Sequence, residues 1–324
     1  MQVSTRGAAR RMALPVTAAS AAALLLSCAG ANAARTQGGG DFPAAEGVES
    51  VDIVAGGRTR NYLIYVPRSY RPGSPTPLVL AFHGGRDNAR NMAGYTRLPE
   101  LADREGFIVA FPNGTMGKKI DGGTWNTGSG LGQGQAEKRD VNDLAFVRAM
   151  IDDIRDEYSI DSRRIYATGM SKGGMMAYTV ACNMSDQIAA IAPVAGTMVA
   201  AWCEPTSPVA VLHIHGTADK EVPLEGGRGL SYTYPPVQRG IDFWASRDRC
   251  SGDQSTRQAG PETTCYTYKG CAREVTLCLV QGGGHAWPGQ PKVAKWQKMM
   301  KVYVTTSYNA SEEAWKFFEQ HPKQ

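Results

Sequence analysis

The sequence predicts an α/β protein with a mostly parallel β-sheet and helices on both faces. Short apolar segments of strand type alternate with segments of helical periodicity, which is the pattern of connected parallel strands. Several of these apolar segments end in glycine-containing polar turns. With 324 residues the chain can bury a large core, and we expect a single domain over residues 47–324.

The first half of this domain is predicted to contain strands over residues 48–54, 60–66, 78–82 and 107–111. A short helix is predicted over residues 97–105. A longer amphipathic helix is predicted over residues 141–158, because apolar residues recur there at steps of three and four. Asp140 is placed to cap it. The glycine-rich residues 114–137 are predicted to form a long loop, which in a compact domain is often functional.

The second half is predicted to contain, in chain order, strands over residues 164–168, 188–194 and 209–214, a helix over residues 237–247 and a hairpin of residues 264–269 and 274–280. A buried helix is predicted from about Gly174. Ser311 is placed to cap a last helix, which runs to Phe318. Residues 292–308 favour neither helix nor strand.

Residues 169–173 carry the pattern Gly-x-Ser-x-Gly between a predicted strand and a predicted helix. A serine on such a sharp turn presents its hydroxyl at the edge of the sheet, and the glycines let strand and helix approach closely. The five-residue pattern alone is a weak signal, and Ser171 could be an ordinary turn serine. The flanking strand and helix favour a nucleophile at this position.

Two residues further along the chain complete a catalytic set with Ser171. Asp219 follows the strand over residues 209–214, and His285 lies in a glycine-rich segment after the strand over residues 274–280. The order Ser, Asp, His is that of α/β hydrolases. In such a triad His285 removes the hydroxyl proton of Ser171, and Asp219 orients the imidazole. Glu221 is an alternative to Asp219, and each of these residues could instead be structural.

The transition state of ester hydrolysis also needs donors to its oxyanion. The predicted donors are the backbone N–H groups of Lys172, directly after the nucleophile, and of Gly85, after an early strand. The side chain of Lys172 is expected to be solvated or to meet an anionic group of a substrate. Trp125 and Trp287 are candidate substrate-binding residues, with packing in the core as the alternative.

The N-terminus is predicted to be a targeting segment, a signal peptide over residues 1–33. Arginines precede the apolar residues 12–26, which are too few to span a bilayer comfortably. Ala-Asn-Ala at residues 31–33 is a cleavage site of small residues, whereas Leu-Leu-Ser-Cys ending at Cys28 resembles a lipid-attachment site. Residues 34–46 are predicted to be a disordered lead-in. We expect a secreted or periplasmic protein, with lipid anchoring through Cys28 as the alternative.

The cysteines are expected to form disulfides. Removing Cys28 with the signal peptide leaves an even number in an oxidising compartment. The predicted hairpin places its two strand cysteines opposite each other, and the cysteine at its tip can reach the one that precedes the hairpin. The predicted pairs are Cys182–Cys203, Cys250–Cys271 and Cys265–Cys278.

Charge and histidine content argue against other classes of function. The net charge of +5 comes from scattered residues, so nucleic-acid binding is not expected. His213 and His215 are spaced like ligands of zinc, but exported cysteines usually oxidise, and we expect no metal and no cofactor. His83 and His215 precede glycines at strand ends and are expected to bond to loop backbone.

Four motifs together resemble the polyhydroxybutyrate-depolymerase-type esterases, which overlap carbohydrate esterase family one with its feruloyl and acetyl xylan esterases. They are GMSKGGMMAY, IAPVAG, HGTAD and GGGHAWPG at residues 169–178, 191–196, 215–219 and 282–289. The resemblance implies an α/β-hydrolase fold, a triad of Ser171, Asp219 and His285, and secreted ester hydrolysis. The chain has Gly85-Arg86 where many relatives carry a cysteine and a polar residue, which leaves the substrate open.

The expected function is that of a secreted serine carboxylesterase, which hydrolyses feruloyl or acetyl esters on plant polysaccharide through an acyl-enzyme on Ser171. One alternative is a depolymerase of polyhydroxyalkanoates. An alternative of a different class is a non-catalytic exported binding protein on the same fold. The expected partner is an ester-bearing polysaccharide or polyester, and the sequence leaves the oligomeric state open.

Overall fold

The computed structural model describes Phe42 and residues 45–117, 122–130 and 132–324. All of these residues belong to one compact unit, Gly39–Gln324. The predicted signal peptide, Cys28 and most of the predicted lead-in lie outside the described residues.

The strands are β1 Glu49–Ala55, β2 Arg58–Tyr65, β3 Thr76–Phe82, β4 Ile108–Pro112, β5 Thr115–Met116, β6 Gly123–Thr124, β7 Ile160–Met170, β8 Ala190–Val194, β9 Ala210–Gly216, β10 Gly227–Arg228, β11 Thr233–Tyr234, β12 Gln254–Gly260, β13 Thr263–Tyr268 and β14 Val275–Val280. The helices are α1 Ala89–Thr96, α2 Leu98–Glu105, α3 Gln135–Lys138, α4 Asp143–Glu157, α5 Lys172–Asn183, α6 Val237–Arg247, α7 Lys295–Met299 and α8 Ala310–Gln320.

One large sheet organises the molecule, with strand order β1-β2-β4-β3-β7-β8-β9-β14-β13-β12. Neighbouring strands run parallel from β4 to β14 and antiparallel at both edges. Strand β3 is buried along its whole length, as expected for a central strand covered on both faces. The core on one face includes residues of α1, α2 and α8, and the core on the other includes residues of α4, α5 and α6. The predicted fold class is therefore confirmed.

Two predicted helix caps are wrong. The side chain of Asn142, not that of Asp140, accepts an N–H of the first turn of α4. Asp140 has left-handed backbone with φ of 44°, and its carboxylate accepts a hydrogen bond from Asn126. Helix α8 is capped by Asn309, because Ser311 lies inside the first turn and its hydroxyl bonds elsewhere. In both cases an asparagine within two residues of the predicted cap is an equally good capping residue and takes its place.

Several elements are additional to the prediction. The segment predicted as a long loop holds β5, β6 and α3, and helix α1 precedes the predicted α2. Helix α1 contains asparagine and glycine, so its sequence favours helix weakly, but its face with Met92 and Tyr95 is buried in the core. Strand β12 extends the predicted hairpin to three strands.

The three disulfides join the predicted pairs, Cys182–Cys203, Cys250–Cys271 and Cys265–Cys278. Cys265 and Cys278 face each other directly in the register of β13 and β14, which confirms the reasoning from hairpin symmetry. Among the described residues, none of the helices has both the length and the apolar character needed to span a membrane.

Candidate active site

Ser171 is the single residue between the end of β7 and the start of α5. Its backbone has φ of 56° and ψ of −120°, a sparsely populated conformation that costs a non-glycine residue about 1–3 kcal/mol. Close packing around the turn requires glycine nearby, since a Cβ on Gly173 would lie 2.0 Å from the carbonyl oxygen of Phe82. The N–H of Ser171 donates to the carbonyl of Val194 at 2.8 Å, which fixes the turn on the neighbouring strand. This is the strained strand-to-helix turn that the sequence pattern predicts.

Asp219 lies in the turn that follows β9. Its Oδ1 accepts hydrogen bonds from the backbone N–H groups of Glu221 and Val222, both at 2.9 Å. Its Oδ2 lies 2.7 Å from Nδ1 of His285. The residue is 4% exposed, so the carboxylate is oriented by fixed protein donors rather than by solvent.

His285 reaches Asp219 because the segment after β14 packs against the segment after β9. The N–H of Ala218 donates to the carbonyl of Gly283 at 2.8 Å. The carbonyl of His285 accepts a hydrogen bond from Nε2 of Gln297 at 3.1 Å. Gln297 belongs to the region that the sequence left unassigned, so its supporting role has no sequence signal.

The electrostatics of the pair suit a base and its orienting acid. Burial by itself lowers the pKa of His285, but the charge of Asp219 and the hydrogen bond to it outweigh burial and raise this pKa above its ordinary value. Burial by itself raises the pKa of Asp219, but the charge of His285 and hydrogen bonds to the carboxylate lower it below its ordinary value. Asp219 therefore stays ionised, and His285 is a stronger base than an isolated imidazole.

Ser171 and His285 line one cavity of about 640 Å³. Glu221, the alternative acid, also lines this cavity, whereas the hydrogen bond from His285 goes to Asp219. The aromatic side chains of the lining are Phe42, Tyr95, Tyr232, Tyr234 and Trp296. None of these aromatic residues was singled out from the sequence, because no local pattern distinguishes a cavity wall from ordinary core.

The candidate oxyanion donors lie side by side at the turn. A Cβ built on Gly84 would lie 3.6 Å from Cβ of Ser171, and one built on Gly85 would lie 3.7 Å from Cβ of Lys172. The N–H of Lys172 is in the first turn of α5, where a helix offers its N–H groups no internal partner. The turn after β3 and the start of α5 therefore lie next to each other beside Ser171.

The side chain of Lys172 is buried and paired within the protein, so the expectation of a solvated side chain is wrong. Its Nζ donates to the carbonyl of Gln133 at 2.6 Å and lies 3.4 Å from Oε1 of Glu137. Glu137 also accepts from the hydroxyl of Thr127 at 2.8 Å and from the N–H of Gln133 at 2.7 Å. The ion pair thereby joins the start of α5 to the segment around α3, which forms one wall of the cavity.

Trp125 and Trp287 do not line the cavity. They are 0% and 1% exposed, and each donates its indole N–H within the protein, Trp125 to the carbonyl of His83 and Trp287 to the hydroxyl of Ser311. The structure thus places both in the core, which is the alternative that the sequence left open. His83 bonds to loop backbone as expected, and burial lowers its pKa to about 4.

The chain is similar to known esterases. The sequence model of the family described as "Esterase PHB depolymerase" matches residues 61–225. Feruloyl esterase B from Piromyces equi is 30% identical over 239 residues, which cover 70% of this chain and 42% of that protein. A bifunctional acetylxylan esterase/xylanase from Neocallimastix patriciarum is 30% identical over 237 residues, which cover 71% of this chain and 31% of that protein. The chain thus spans less than half the length of either relative.

The solved structure of an acetyl xylan esterase from Aspergillus awamori has the same fold. It superposes with a TM-score of 0.54 at 18% identity, covering 78% of this chain and 98% of that one. The family match extends over half of the chain, from β2 through the Ser171 turn to the segment after Asp219. The protein therefore belongs to the esterase PHB depolymerase family and has the α/β-hydrolase fold.

Proposed function

We propose that the protein is a serine esterase, which hydrolyses carboxylic esters through an acyl-enzyme on Ser171. One observation carries this proposal: His285, which is joined to Asp219 at 2.7 Å, lines the same cavity as Ser171 on its strained turn. A serine on such a turn, with a base held in one tautomer by a buried carboxylate, is the arrangement that acyl transfer needs.

In the proposed reaction His285 donates its Nδ1–H to Asp219, which leaves a lone pair on Nε2. Nε2 removes the hydroxyl proton of Ser171 while Oγ attacks the ester carbonyl carbon. The N–H groups of Lys172 and Gly85 donate to the resulting oxyanion. Collapse of the tetrahedral intermediate breaks the bond to the alcohol, which takes the proton from His285. Water then attacks the acyl-enzyme by the same route and releases the acid.

The proposed substrates are feruloyl or acetyl esters on plant polysaccharide. The names of the two relatives, a feruloyl esterase and an acetylxylan esterase/xylanase, support this class. The aromatic side chains in the cavity wall favour a flat aromatic acyl group, because aromatic rings pack edge to face and offset against one another.

Depolymerisation of polyhydroxyalkanoates is the second candidate, and the description of the matching family favours it. A non-catalytic binding protein is the candidate of a different class. The presence of Ser171, Asp219 and His285 with a buried hydrogen bond between the last two argues against it, since binding alone requires none of this geometry.

We also propose export to the periplasm or the exterior, with lipid anchoring through Cys28 as the alternative. The three disulfides support an oxidising compartment. Mass spectrometry of the mature N-terminus distinguishes cleavage after Ala33 from acylation of Cys28.

A panel of substrates tests the proposed function. Purified protein is assayed on p-nitrophenyl acetate, methyl ferulate, acetylated xylan and hydroxybutyrate oligomers side by side. Asp219→Asn should lower kcat by about 10³–10⁴-fold, because it removes the charge that holds the imidazole tautomer. Glu221→Gln is the matched control and should retain most activity. Absence of turnover on every ester, or equal losses in the two variants, would overturn the proposal.

A further inference from the structure

Three buried polar side chains without a part in the proposed reaction form a row beside Asp219. The hydroxyl of Tyr178 lies 2.8 Å from Nδ1 of His213. Nε2 of His213 lies 3.1 Å from Nδ1 of His215, and Nε2 of His215 lies 2.9 Å from the carbonyl oxygen of Val222. Each of the three residues is at most 1% exposed. We call Tyr178, His213 and His215 the buried row.

The row has one direction of hydrogen bonding. A carbonyl oxygen only accepts, so Nε2 of His215 carries the proton and its Nδ1 accepts. Nε2 of His213 must then donate to His215, and Nδ1 of His213 must accept from the hydroxyl of Tyr178. Burial lowers the pKa of both histidines, so both are neutral and each is held in a single tautomer.

The row ends at the turn that holds the carboxylate of Asp219. Val222 accepts from His215 through its carbonyl and donates to Oδ1 of Asp219 through its N–H at 2.9 Å. Nε2 of His215 also lies 3.6 Å from Oδ2 of Asp219, the oxygen that faces His285. The N–H of His215 thus stabilises the turn through its hydrogen bond to Val222, and it lies close to Oδ2 of Asp219.

We propose that His215 is a positioning residue for Asp219, and that the hydrogen bonds of Tyr178 and His213 keep it in the donor tautomer this requires. The inference rests on the proposed esterase function, and it names residues that influence the rate and the pH dependence of that reaction. The row connects α5, which begins directly after Ser171, with the turn after β9, so it ties Asp219 to the helix that follows Ser171.

The proposal predicts an effect on pH dependence. The partial positive charge of the His215 N–H stabilises the carboxylate and lies close to the site where His285 becomes charged. Removing it should make Asp219 attract the proton of His285 more strongly, so the acid limb of kcat/KM should move to higher pH. The other charged groups that face His285 or share its cavity stay in place in these variants: Arg86, Asp87, Lys138, Lys172, which is paired with Glu137, and Glu221.

The test compares His215→Leu, His215→Gln and Tyr178→Phe with the wild type on a soluble p-nitrophenyl ester. Tyr166→Phe is the matched control, because Tyr166, on β7, is buried like Tyr178, while its hydroxyl has no hydrogen-bond partner among the described residues. All rates are normalised to active sites titrated with a phosphonate, so that misfolded protein does not count.

We expect His215→Leu to lower kcat by about 10–100-fold with little change in KM, a loss of the size seen when a partner that orients a metal-ligating side chain is removed. Its acid limb should move to higher pH. His215→Gln should recover part of the loss, because its amide can donate to Val222 and accept from His213. Tyr178→Phe should shift the limb in the same direction by less, and Tyr166→Phe should not shift it.

Two results would overturn the inference. One is an unmoved acid limb in His215→Leu, with kcat per titrated site as in the wild type. The other is a Tyr178→Phe profile that matches that of Tyr166→Phe, which remains informative if His215→Leu does not fold. Either result leaves the esterase proposal intact, whereas a wild type that neither turns over esters nor reacts with the phosphonate refutes the esterase proposal itself.

Discussion

Removing the carboxylate of Glu137 should destabilise the protein strongly. The side chains of Lys172 and Glu137 are only 9% and 4% exposed, so their ion pair belongs to the buried class rather than to surface pairs worth about 0–1 kcal/mol. Glu137→Ala leaves the ammonium of Lys172 buried without its counter-charge. Losing one partner of such a pair costs about 3–5 kcal/mol, and we expect a loss of this size in the free energy of unfolding.

Urea unfolding at pH 7, followed by tryptophan fluorescence, measures this loss. Glu105→Ala, an exposed glutamate at the end of α2, is the matched control and should change stability by less than about 0.5 kcal/mol. Replacing both partners, Glu137→Met with Lys172→Met, should restore most of the stability, because no charge is then left unpaired. A loss below about 1 kcal/mol in Glu137→Ala, or a double variant less stable than the single one, would refute the reasoning.

Four further predictions concern the pH dependence of activity and of stability, a disulfide and a buried carboxyl group. Because Asp219 raises the pKa of His285, kcat/KM should rise with pH through a midpoint above the ordinary histidine value of about 6.5, and a midpoint below 6 in a pH–rate profile would contradict this. The same raised pKa means that the stability from the pair is present at low pH and lost as pH rises through it, so Asp219→Asn should destabilise more at pH 6 than at pH 9 in urea titrations. Breaking Cys265–Cys278 by replacing both residues with serine should cost about 2–4 kcal/mol and lower Tm in calorimetry, and an unchanged Tm would exclude a stabilising bond. Burial raises the pKa of Asp248 to about 7, so its protonated form is favoured in the folded protein and stability falls as pH rises from about 4 to 7. Asp248→Asn should therefore raise Tm at pH 8 and change it little at pH 4, and an equal change at both pH values would contradict the assignment.

The parts of the fold and site that sequence predicts are those governed by local sterics. The glycines around Ser171 are required wherever a strand turns sharply into a helix, as the close approach of Gly173 to Phe82 illustrates. Cys265 and Cys278 are equidistant from a hairpin turn, so their pairing follows from strand register.

The parts that sequence could not predict depend on contacts between distant segments. Asp140 and Asn142 are both good helix caps, and the choice between them is decided by tertiary contacts such as that of Asp140 with Asn126. Glu137 has no local pattern, and its importance comes from donors brought to it by the fold. Trp125 lies in a glycine-rich segment where an aromatic residue could bind substrate, but in the structure its indole is buried in the core and donates a hydrogen bond to the carbonyl of His83.

Reaction with an active-site phosphonate tests the central claim most directly, because it reports the nucleophilicity of one hydroxyl without any choice of substrate. Peptide mass spectrometry of the labelled protein should show a single adduct on Ser171. Labelling should accelerate with pH in step with the deprotonation of His285, and Asp219→Asn should slow it by orders of magnitude. An adduct on another residue, or an unlabelled Ser171 in folded protein, would contradict the proposed mechanism.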